Sequence, residues 1–139
     1  MFTQGQNYAY QVMSYGYNTF LTGDAGTGKS YVIVDFVNNK REEGKNVMVV
    51  APTGLAAYNV HGVTVHRAFN APVAPITSIY DVSKIDDTII ETDILIIDEI
   101  STCRIDLFEF VIKKAFNANT FRKNRDKKPI QIIVCGDFF

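Results

Sequence analysis

The chain has 139 residues, of which 47% are hydrophobic and 21% are charged, and its formal net charge is -1. This length suits one domain with a buried core, and the composition excludes a disordered chain. The charge balance excludes a globally basic nucleic-acid binder, although it leaves a local basic patch open. No apolar stretch approaches the roughly 18 to 20 residues that span a bilayer, so we expect no membrane association.

The sequence opens with a helix. Thr3 and Gln6 have the spacing of a capping box, and apolar residues then recur at helical intervals until Gly16. A short apolar strand at 18–22 follows and leads into a glycine-rich loop. The apolar run 31–37 after that loop predicts a second helix.

Strands and helices continue to alternate beyond Gly44, which is a plausible stop for the second helix. The continuous apolar runs are typical of buried parallel strands. The predicted elements are a strand at 47–51, a short helix at 55–60, an ordered segment at 62–69, a strand at 94–97, a helix at 105–116 and a strand at 130–135. This order predicts an α/β fold, a parallel sheet with helices on both faces.

Residues 70–92 are harder to interpret. They contain Pro72 and Pro75 and show no sustained period, which predicts a surface excursion and not a core element. The two cysteines, Cys103 on a predicted helix and Cys135 at a predicted strand end, have no Cys-x-x-Cys spacing. We expect reduced, buried thiols and no zinc site.

The glycine-rich loop, Gly23-Asp24-Ala25-Gly26-Thr27-Gly28-Lys29-Ser30, has the Walker A pattern of a P-loop NTPase. Its backbone N–H groups are expected to surround the β-phosphate of ATP, with Lys29 reaching the β- and γ-phosphates and the Ser30 hydroxyl binding Mg²⁺. The next helix presents its positive end to the same anion. The predicted nucleotide-binding residues are Gly23, Asp24, Ala25, Gly26, Thr27, Gly28, Lys29, Ser30 and Tyr31.

An acidic pair follows the most apolar strand. Asp98 has the position of a Walker B aspartate, which holds Mg²⁺ opposite Ser30, and Glu99 is the candidate general base for the attacking water. The alternative is that both residues only cap the following helix, whose N-terminal end favours acidic side chains. The ends of parallel strands meet at one edge of a sheet, so we expect the phosphate loop, this pair and Gly136-Asp137 to converge.

Four segments together resemble motifs I, Ia, II and the start of III of superfamily 1B DNA helicases of the PIF and RecD-like type. They are 22–30, 51–57 with 62–66, 96–101 and 134–139, and their order and spacing also match. The resemblance extends from Thr3 to Phe139. It implies a RecA-like ATP-binding domain and roles in DNA repair, recombination or telomere maintenance. The source compartment would be the cytoplasm of a bacterium or phage host, or the nucleus or mitochondria of a eukaryote.

The resemblance also implies residue roles. Gln6 matches the glutamine that reads the adenine edge, a role compatible with the capping box. The segments that match the track of single-stranded DNA contain Pro52, Thr53, Gly54, Thr64 and His66, and Phe69 just beyond them is a candidate for base stacking. The alternatives are an N-cap for Thr53, a satisfied buried histidine for His66 and a core position for Phe69.

Two further segments bear on DNA. Residues 70–92 stand where relatives insert a pin that splits duplex DNA, and here they are short. Half of the 14 basic residues lie in one stretch before the last strand, namely Lys113, Lys114, Arg122, Lys123, Arg125, Lys127 and Lys128. Because the loop entering a strand lies at the edge opposite the ligand, we interpret this stretch as a solvated loop and not as a DNA patch.

The chain ends inside motif III, and the resemblance implies a second RecA-like domain that it does not contain. That domain supplies an arginine finger worth about 10³ to 10⁵ in rate, so this piece should bind ATP and hydrolyse it poorly. We expect residues 1–139 to be the first motor domain of a 5′-to-3′ DNA helicase. The alternatives are a stand-alone nucleotide-binding module and a non-helicase P-loop ATPase.

Overall fold

A computed structural model describes residues 2–23, 28–71 and 85–136, which form a five-stranded parallel sheet between two layers of helices. The helices are α1 Gln4–Ser14, α2 Lys29–Glu42, α3 Gly54–Asn59, α4 Val65–Phe69, α5 Asp87–Ile90 and α6 Ile105–Asn124, with a short 3₁₀ helix at Ile100–Thr102. The strands are β1 Thr19–Thr22, β2 Val47–Ala51, β3 Val63–Thr64, β4 Ile94–Ile97 and β5 Gln131–Gly136. The predicted alternation of strands and helices is confirmed.

The strand order is β1-β5-β4-β2-β3, and every neighbouring pair is parallel. β4, with four buried aliphatic residues, lies in the centre. Such a continuous apolar run is what a strand covered on both faces requires. All five carboxyl ends therefore lie along one edge of the sheet, and all amino ends along the other.

Alternate residues of β4 enter two separate cores. Ile94 and Ile96 pack in a cluster with buried side chains of α1 and α2, whereas Leu95 and Ile97 pack in a cluster with buried side chains of α4, α5 and α6. This follows from the two-residue period of a strand, which sends successive side chains to opposite faces. Helices cover both faces, as predicted.

The interpretation of residues 70–92 as a surface excursion is wrong for 85–92. Helix α5 lies there, and its Ile89 and Ile90 are 2% and 3% exposed in the core on the α6 side of the sheet. A four-residue helix is too short to show a hydrophobic period, so its burial depends on α6 and β4. Residues 72–84 lie outside the described residues.

The interpretation of the basic stretch as a solvated loop is also wrong. Helix α6 continues to Asn124, and its Lys114 and Arg122 are only 6% and 2% exposed. Arg122 donates to the carbonyl oxygens of Lys128 and Ile90, both at 2.7 Å, and to Asp93 Oδ1 at 3.1 Å. These acceptors compensate for the desolvation of the guanidinium group and tie α6 to the amino edge of the sheet.

Cys135 is a buried residue of β5, whereas Cys103 follows the 3₁₀ helix and is half-buried; both are free thiols. Cys103 thus lies next to a helix and not within the long one. None of the helices in the described ranges is both long and apolar enough to cross a bilayer.

Candidate functional site

The predicted convergence of motifs occurs at the carboxyl edge of the sheet. Thr22, which ends β1, is in register with Gly136 of β5, and Ile97, which ends β4, is in register with Val134. Asp98 follows directly, and its N–H donates to the carbonyl of Val50 at 2.9 Å. The phosphate loop and the acidic pair therefore leave the sheet at the same edge, with β5 between their strands.

Lys29 begins α2 after β1 and Asp98 follows β4, so both lie at the carboxyl edge on either side of β5, which contains Cys135. Burial raises the pKa of the Cys135 thiol far above its ordinary range, the Asp98 carboxylate raises it further, and the Lys29 ammonium group opposes that rise. Both charges thus act on one sulfur atom, which lies level with Leu21 on β1. A P-loop NTPase needs its lysine on the phosphates and its aspartate on the magnesium ion, so the two residues must lie at the same edge of the sheet, as Lys29 and Asp98 do here.

The described part of the phosphate loop consists of Gly23 and the end from Gly28 onward, and Asp24, Ala25, Gly26 and Thr27 lie outside the described residues. Gly28 precedes α2 with φ of 83° and ψ of 23°, a left-handed conformation that favours glycine. As a glycine, Gly28 offers no side chain to cap α2. Lys29 Nζ donates to the carbonyl of Gly23 at 2.7 Å and so lies across the base of the loop.

Gln6 forms the predicted capping box and also contacts the end of the phosphate loop. Its side chain accepts from Thr3 N at 2.8 Å and its N–H donates to Thr3 Oγ1 at 3.2 Å, which confirms the capping box. Its Nε2 also donates to the carbonyl of Gly28 at 3.4 Å. A cavity of about 300 Å³ lies between α1 and the loop, lined in part by Gln6, Gly23 and Lys29.

Tyr31, the last predicted nucleotide contact, is 53% exposed on the first turn of α2. Its ring packs edge-on against Phe2 at a centroid distance of 5.2 Å. The same Phe2 ring lies 5.7 Å from Tyr10 of α1. This aromatic group joins the start of α1 to the start of α2 beside the loop.

The acidic pair divides into a buried and an exposed member. Asp98 is 9% exposed, whereas Glu99 is exposed and has a positive φ of 57°. Glu99 makes no side-chain cap to the 3₁₀ helix, and α6 is preceded by Arg104 instead. The alternative that Glu99 caps the following helix with its side chain is therefore not supported.

A close approach between Gly136 and Ile100, the residue after Glu99, was not predicted from the sequence. A Cβ atom on Gly136 would lie 2.7 Å from Ile100 Cγ2 and 3.2 Å from Ile100 N, so only glycine lets the end of β5 approach the 3₁₀ helix. The signal was a glycine at a strand end, which marks close backbone approach. Asp137, Phe138 and Phe139 lie outside the described residues.

Mg²⁺ was predicted at Ser30 and Asp98. Both side chains offer oxygen ligands, which Mg²⁺ prefers, and Ser30 is exposed at the start of α2. The described residues contain no group of three or more His, Cys, Asp or Glu side chains that could hold a metal. This fits Mg²⁺ bound by one or two protein ligands, phosphates and water, because Mg²⁺ rarely occupies an all-protein cage.

The two predicted DNA-contact segments are neighbours at the same edge. Ala51 of β2 is in register with Thr64 of β3, so Pro52, Thr53 and Gly54 leave the sheet beside Thr64. Thr53 Oγ1 accepts from Ala56 N at 3.2 Å, which confirms the N-cap of α3. Thr64 caps α4 in the same way, accepting from Arg67 N at 3.3 Å.

His66 and Phe69 differ from each other. His66 is half-buried, and its Nδ1 is a buried atom without a hydrogen-bond partner among the described residues, so it is not the satisfied core histidine of the alternative interpretation. Phe69 is 0% exposed in the core beside α6. The prediction that Phe69 stacks on a base is wrong, because its ring is needed to fill that core.

Comparison with known proteins gives a consistent result. The family profile described as "PIF1-like helicase" matches residues 2–139. The "ATP-dependent DNA helicase PIF1" of Candida albicans is 35% identical over 141 residues, which cover 96% of this chain and 15% of that protein. The human "ATP-dependent DNA helicase PIF1" is 33% identical over 128 residues, which cover 88% of this chain and 19% of that protein.

Solved structures agree with this fold. Bacteroides Pif1 bound to ssDNA matches with a TM-score of 0.79 at 30% identity, covering 100% of this chain and 32% of that one. Bacteroides Pif1 in complex with ADP-AlF3 and ssDNA also has a TM-score of 0.79 at 30% identity, covering 99% and 32%. The fold is thus RecA-like, as predicted. The chain spans a fifth or less of the curated relatives named above, and with its P-loop and acidic pair at one sheet edge it belongs to the PIF1-like helicase family.

Proposed function

We propose that this chain is the ATP-binding N-terminal motor domain of an ATP-dependent DNA helicase that translocates 5′-to-3′ on single-stranded DNA. The observation that carries the proposal is the position of Lys29 and Asp98 at one sheet edge, beside the paired segments that begin at Pro52 and Thr64. A nucleotide and a DNA strand would then bind to loops of the same rigid sheet. Relatives named as ATP-dependent DNA helicases support this assignment.

The nucleotide would occupy the region between α1 and the phosphate loop. Lys29 would exchange its bond to the Gly23 carbonyl for the phosphates, and the N-terminal end of α2 would add its N–H groups. Gln6, which lines the cavity and donates to the Gly28 carbonyl, would contact the adenine edge. Tyr31, exposed beside it, would cover one side of the nucleotide.

Mg²⁺ would be held by Ser30 and Asp98, and its contribution when bound is to neutralise charge on the phosphate oxygens. Glu99 would act next to it as the base. Its exposed carboxylate follows a buried aspartate, so it can accept a proton from a water molecule outside the protein surface. Its positive φ and the close approach of Gly136 to Ile100 hold its backbone at that place.

The DNA contacts would be independent of sequence. Thr64 ends β3, Thr53 follows the end of the adjacent strand β2, and Gly54 next to Thr53 is exposed. Hydroxyl and backbone N–H groups bind phosphates without reading bases, which a translocating motor requires. Nδ1 of His66, which has no hydrogen-bond partner within the described ranges, gives this segment a polar atom that a ligand or water can satisfy.

The remaining parts of the proposal come from the family resemblance. A second RecA-like domain of the same protein would supply the arginine finger, so residues 1–139 alone would hydrolyse ATP slowly. A role in DNA repair, recombination or telomere maintenance is proposed on the same basis. So is a location in the bacterial or phage-host cytoplasm, or in the nucleus or mitochondria of a eukaryote.

The test is Lys29→Ala in the full-length protein that carries this chain. We expect the ATPase rate stimulated by single-stranded DNA to fall below about a tenth of the wild-type rate, because the phosphates lose their lysine. Lys45→Ala is the matched control, since Lys45 is an exposed lysine in the loop before β2. A Lys29 variant above that level would contradict the site, and a wild-type ATPase indifferent to single-stranded DNA would favour a non-helicase P-loop ATPase.

A further inference from the structure

The buried lysine of α6 has a role that the nucleotide site does not explain. Lys114 is 6% exposed, its Nζ donates to the carbonyl of Phe69 at 2.9 Å, and the ammonium lies 4.9 Å from the centre of the Phe110 ring. Removing an ammonium group from water is costly, and an aliphatic side chain would fill the same space without that cost. We therefore expect the ammonium group to have a specific role through the groups that it contacts.

What it binds is the end of a very short helix. Phe69 is the last residue of α4, which has only five residues and ends at Asn70 in the left-handed conformation. A helix of this length has almost no stability of its own, so tertiary contacts must hold it in place. A cation at the C-terminal end of a helix is favourable, because the free carbonyl groups there carry partial negative charge.

The other end of α4 carries two of the DNA candidates. Thr64 is its N-cap and His66 lies in its first turn, while Phe69 at the far end is tied to α6. Because α4 is little more than one turn long, we expect a change at Phe69 to shift Thr64 and His66 relative to Thr53, which follows the neighbouring strand β2.

We propose that Lys114 is a positioning residue for the single-stranded DNA contact: it fixes the tilt of α4 through the carbonyl of Phe69. The inference rests on the proposed function, since it takes Thr64 and His66 to be DNA contacts. It assigns no role to Lys114 in nucleotide binding, because the phosphate loop contacts α1 and α2 on the other face of the sheet.

The experiment uses the full-length protein with Lys114→Met, which keeps the length of the side chain and removes the donor. We expect the concentration of a single-stranded oligonucleotide that half-saturates the ATPase to rise about tenfold, the effect of losing one charge-assisted hydrogen bond. The affinity for a fluorescent ADP analogue should stay within about twofold of wild type. Lys113→Met is the control, because Lys113 is 57% exposed and pairs with Glu109 at 2.7 Å on the surface of α6.

A second variant, Lys114→Gln, guards against misfolding of the first. The glutamine amide keeps an N–H donor on a shorter side chain, so it should restore part of the contact with Phe69 O, and we expect a smaller rise in the half-saturating DNA concentration than with methionine. Unchanged DNA affinity in a variant that binds ADP normally would overturn the inference. Loss of ADP binding in both variants would also overturn it, since Lys114 would then support the whole fold. If wild type itself fails to bind single-stranded DNA, the proposed function fails first.

Discussion

The two edges of the sheet use charge in different ways. At the carboxyl edge, Lys29 begins α2 and Asp98 and Glu99 lie in the loop after β4, with Gly28 and Glu99 in left-handed backbone conformations. At the amino edge, Arg122 and its acceptors are folded into the structure between α5, α6 and β4. The first arrangement places charged groups beside the phosphate loop and an exposed carboxylate, and the second pairs its charges between packed elements.

The amino edge contains a network and not a set of isolated ion pairs. Arg125 donates to Glu91 Oε1 at 2.5 Å and to Asp87 Oδ1 at 3.1 Å, and Lys127 Nζ lies 3.2 Å from Glu91 Oε2. The hydrogen bonds from Arg125 and then Lys127 hold the pKa of Glu91 below its ordinary value. Basic residues of this stretch are thus paired with carboxylates of the same domain, namely Asp87, Glu91 and Asp93.

The comparison predicts that changes at the carboxyl edge affect chemistry and spare the fold. The largest expected effect is that of Glu99→Gln, which should lower the ATPase turnover of the full-length protein by about 10² to 10⁴, the usual contribution of a general base. Binding of a fluorescent ATP analogue should be unchanged. Glu109→Gln, an exposed carboxylate on α6, is the control. Equal loss of binding and turnover would make Glu99 a structural residue.

Changes at the amino edge should lower the stability of the fold and leave nucleotide binding unchanged. Arg122→Met is expected to lower the unfolding free energy by about 3 to 5 kcal/mol, because it leaves a partly buried Asp93 and two carbonyl groups without their donor. Urea unfolding followed by hydrogen exchange of the β4 and β5 amides measures this loss. Nucleotide affinity below the transition should not change. Lys123→Met, on the exposed neighbour, should be near neutral; a similar loss in both variants would contradict the network.

Gly28→Ala tests the close contact between Gly28 and the Gln6 side chain. The new Cβ would lie 2.4 Å from Gln6 Nε2 at a φ of 83°, so we expect nucleotide affinity to fall about tenfold, from a left-handed strain of about 1 to 2 kcal/mol. Calorimetry measures the affinity. The double variant with Gln6→Ala should recover part of the loss only if the clash contributes. Gly5→Ala, where a Cβ meets nothing within 4 Å, is the control.

The smallest expected effect concerns pH. Burial raises the pKa of Asp93, but bonds from the Asn46 N–H and Arg122 outweigh it, so the folded pKa lies below the ordinary value of 3.8. A lowered carboxyl pKa stabilises the fold above that value, and the contribution is lost as the pH falls through the folded pKa. Asp93→Asn should lose about 1 kcal/mol at pH 7 and show a shallower decline below about pH 4 than wild type. Identical declines in urea midpoint would refute this.

Much of the fold was accessible from local patterns. The capping box at Thr3, the stop at Gly44 and the apolar run at 47–51 were predicted close to their observed positions. Each depends on chemistry within a few residues, so a sequence window contains the cause. The burial of Ile89, Ile90 and Lys114 was not accessible, because it depends on partners that are distant in the chain.

The candidate site divides in the same way. The residue types and spacing of the phosphate loop and of Asp98 with Glu99 predicted their chemistry, and parallel strands predicted their common edge. Phe69 was assigned wrongly because an aromatic residue after a polar segment suits both a stacking platform and a core. Only the packing of α4 on α6 distinguishes the two.

By itself the sequence determined the order of strands and helices, the nucleotide chemistry and the family, since these depend on local spacing and on motifs that a ligand requires. The tertiary structure alone decided which charges are available. Seven basic residues of one stretch look alike in the sequence, yet Lys114 and Arg122 are buried on carbonyl and carboxylate oxygens from distant elements. The reason is physical: the cost of burying a charge is set by the acceptors that the fold brings to it.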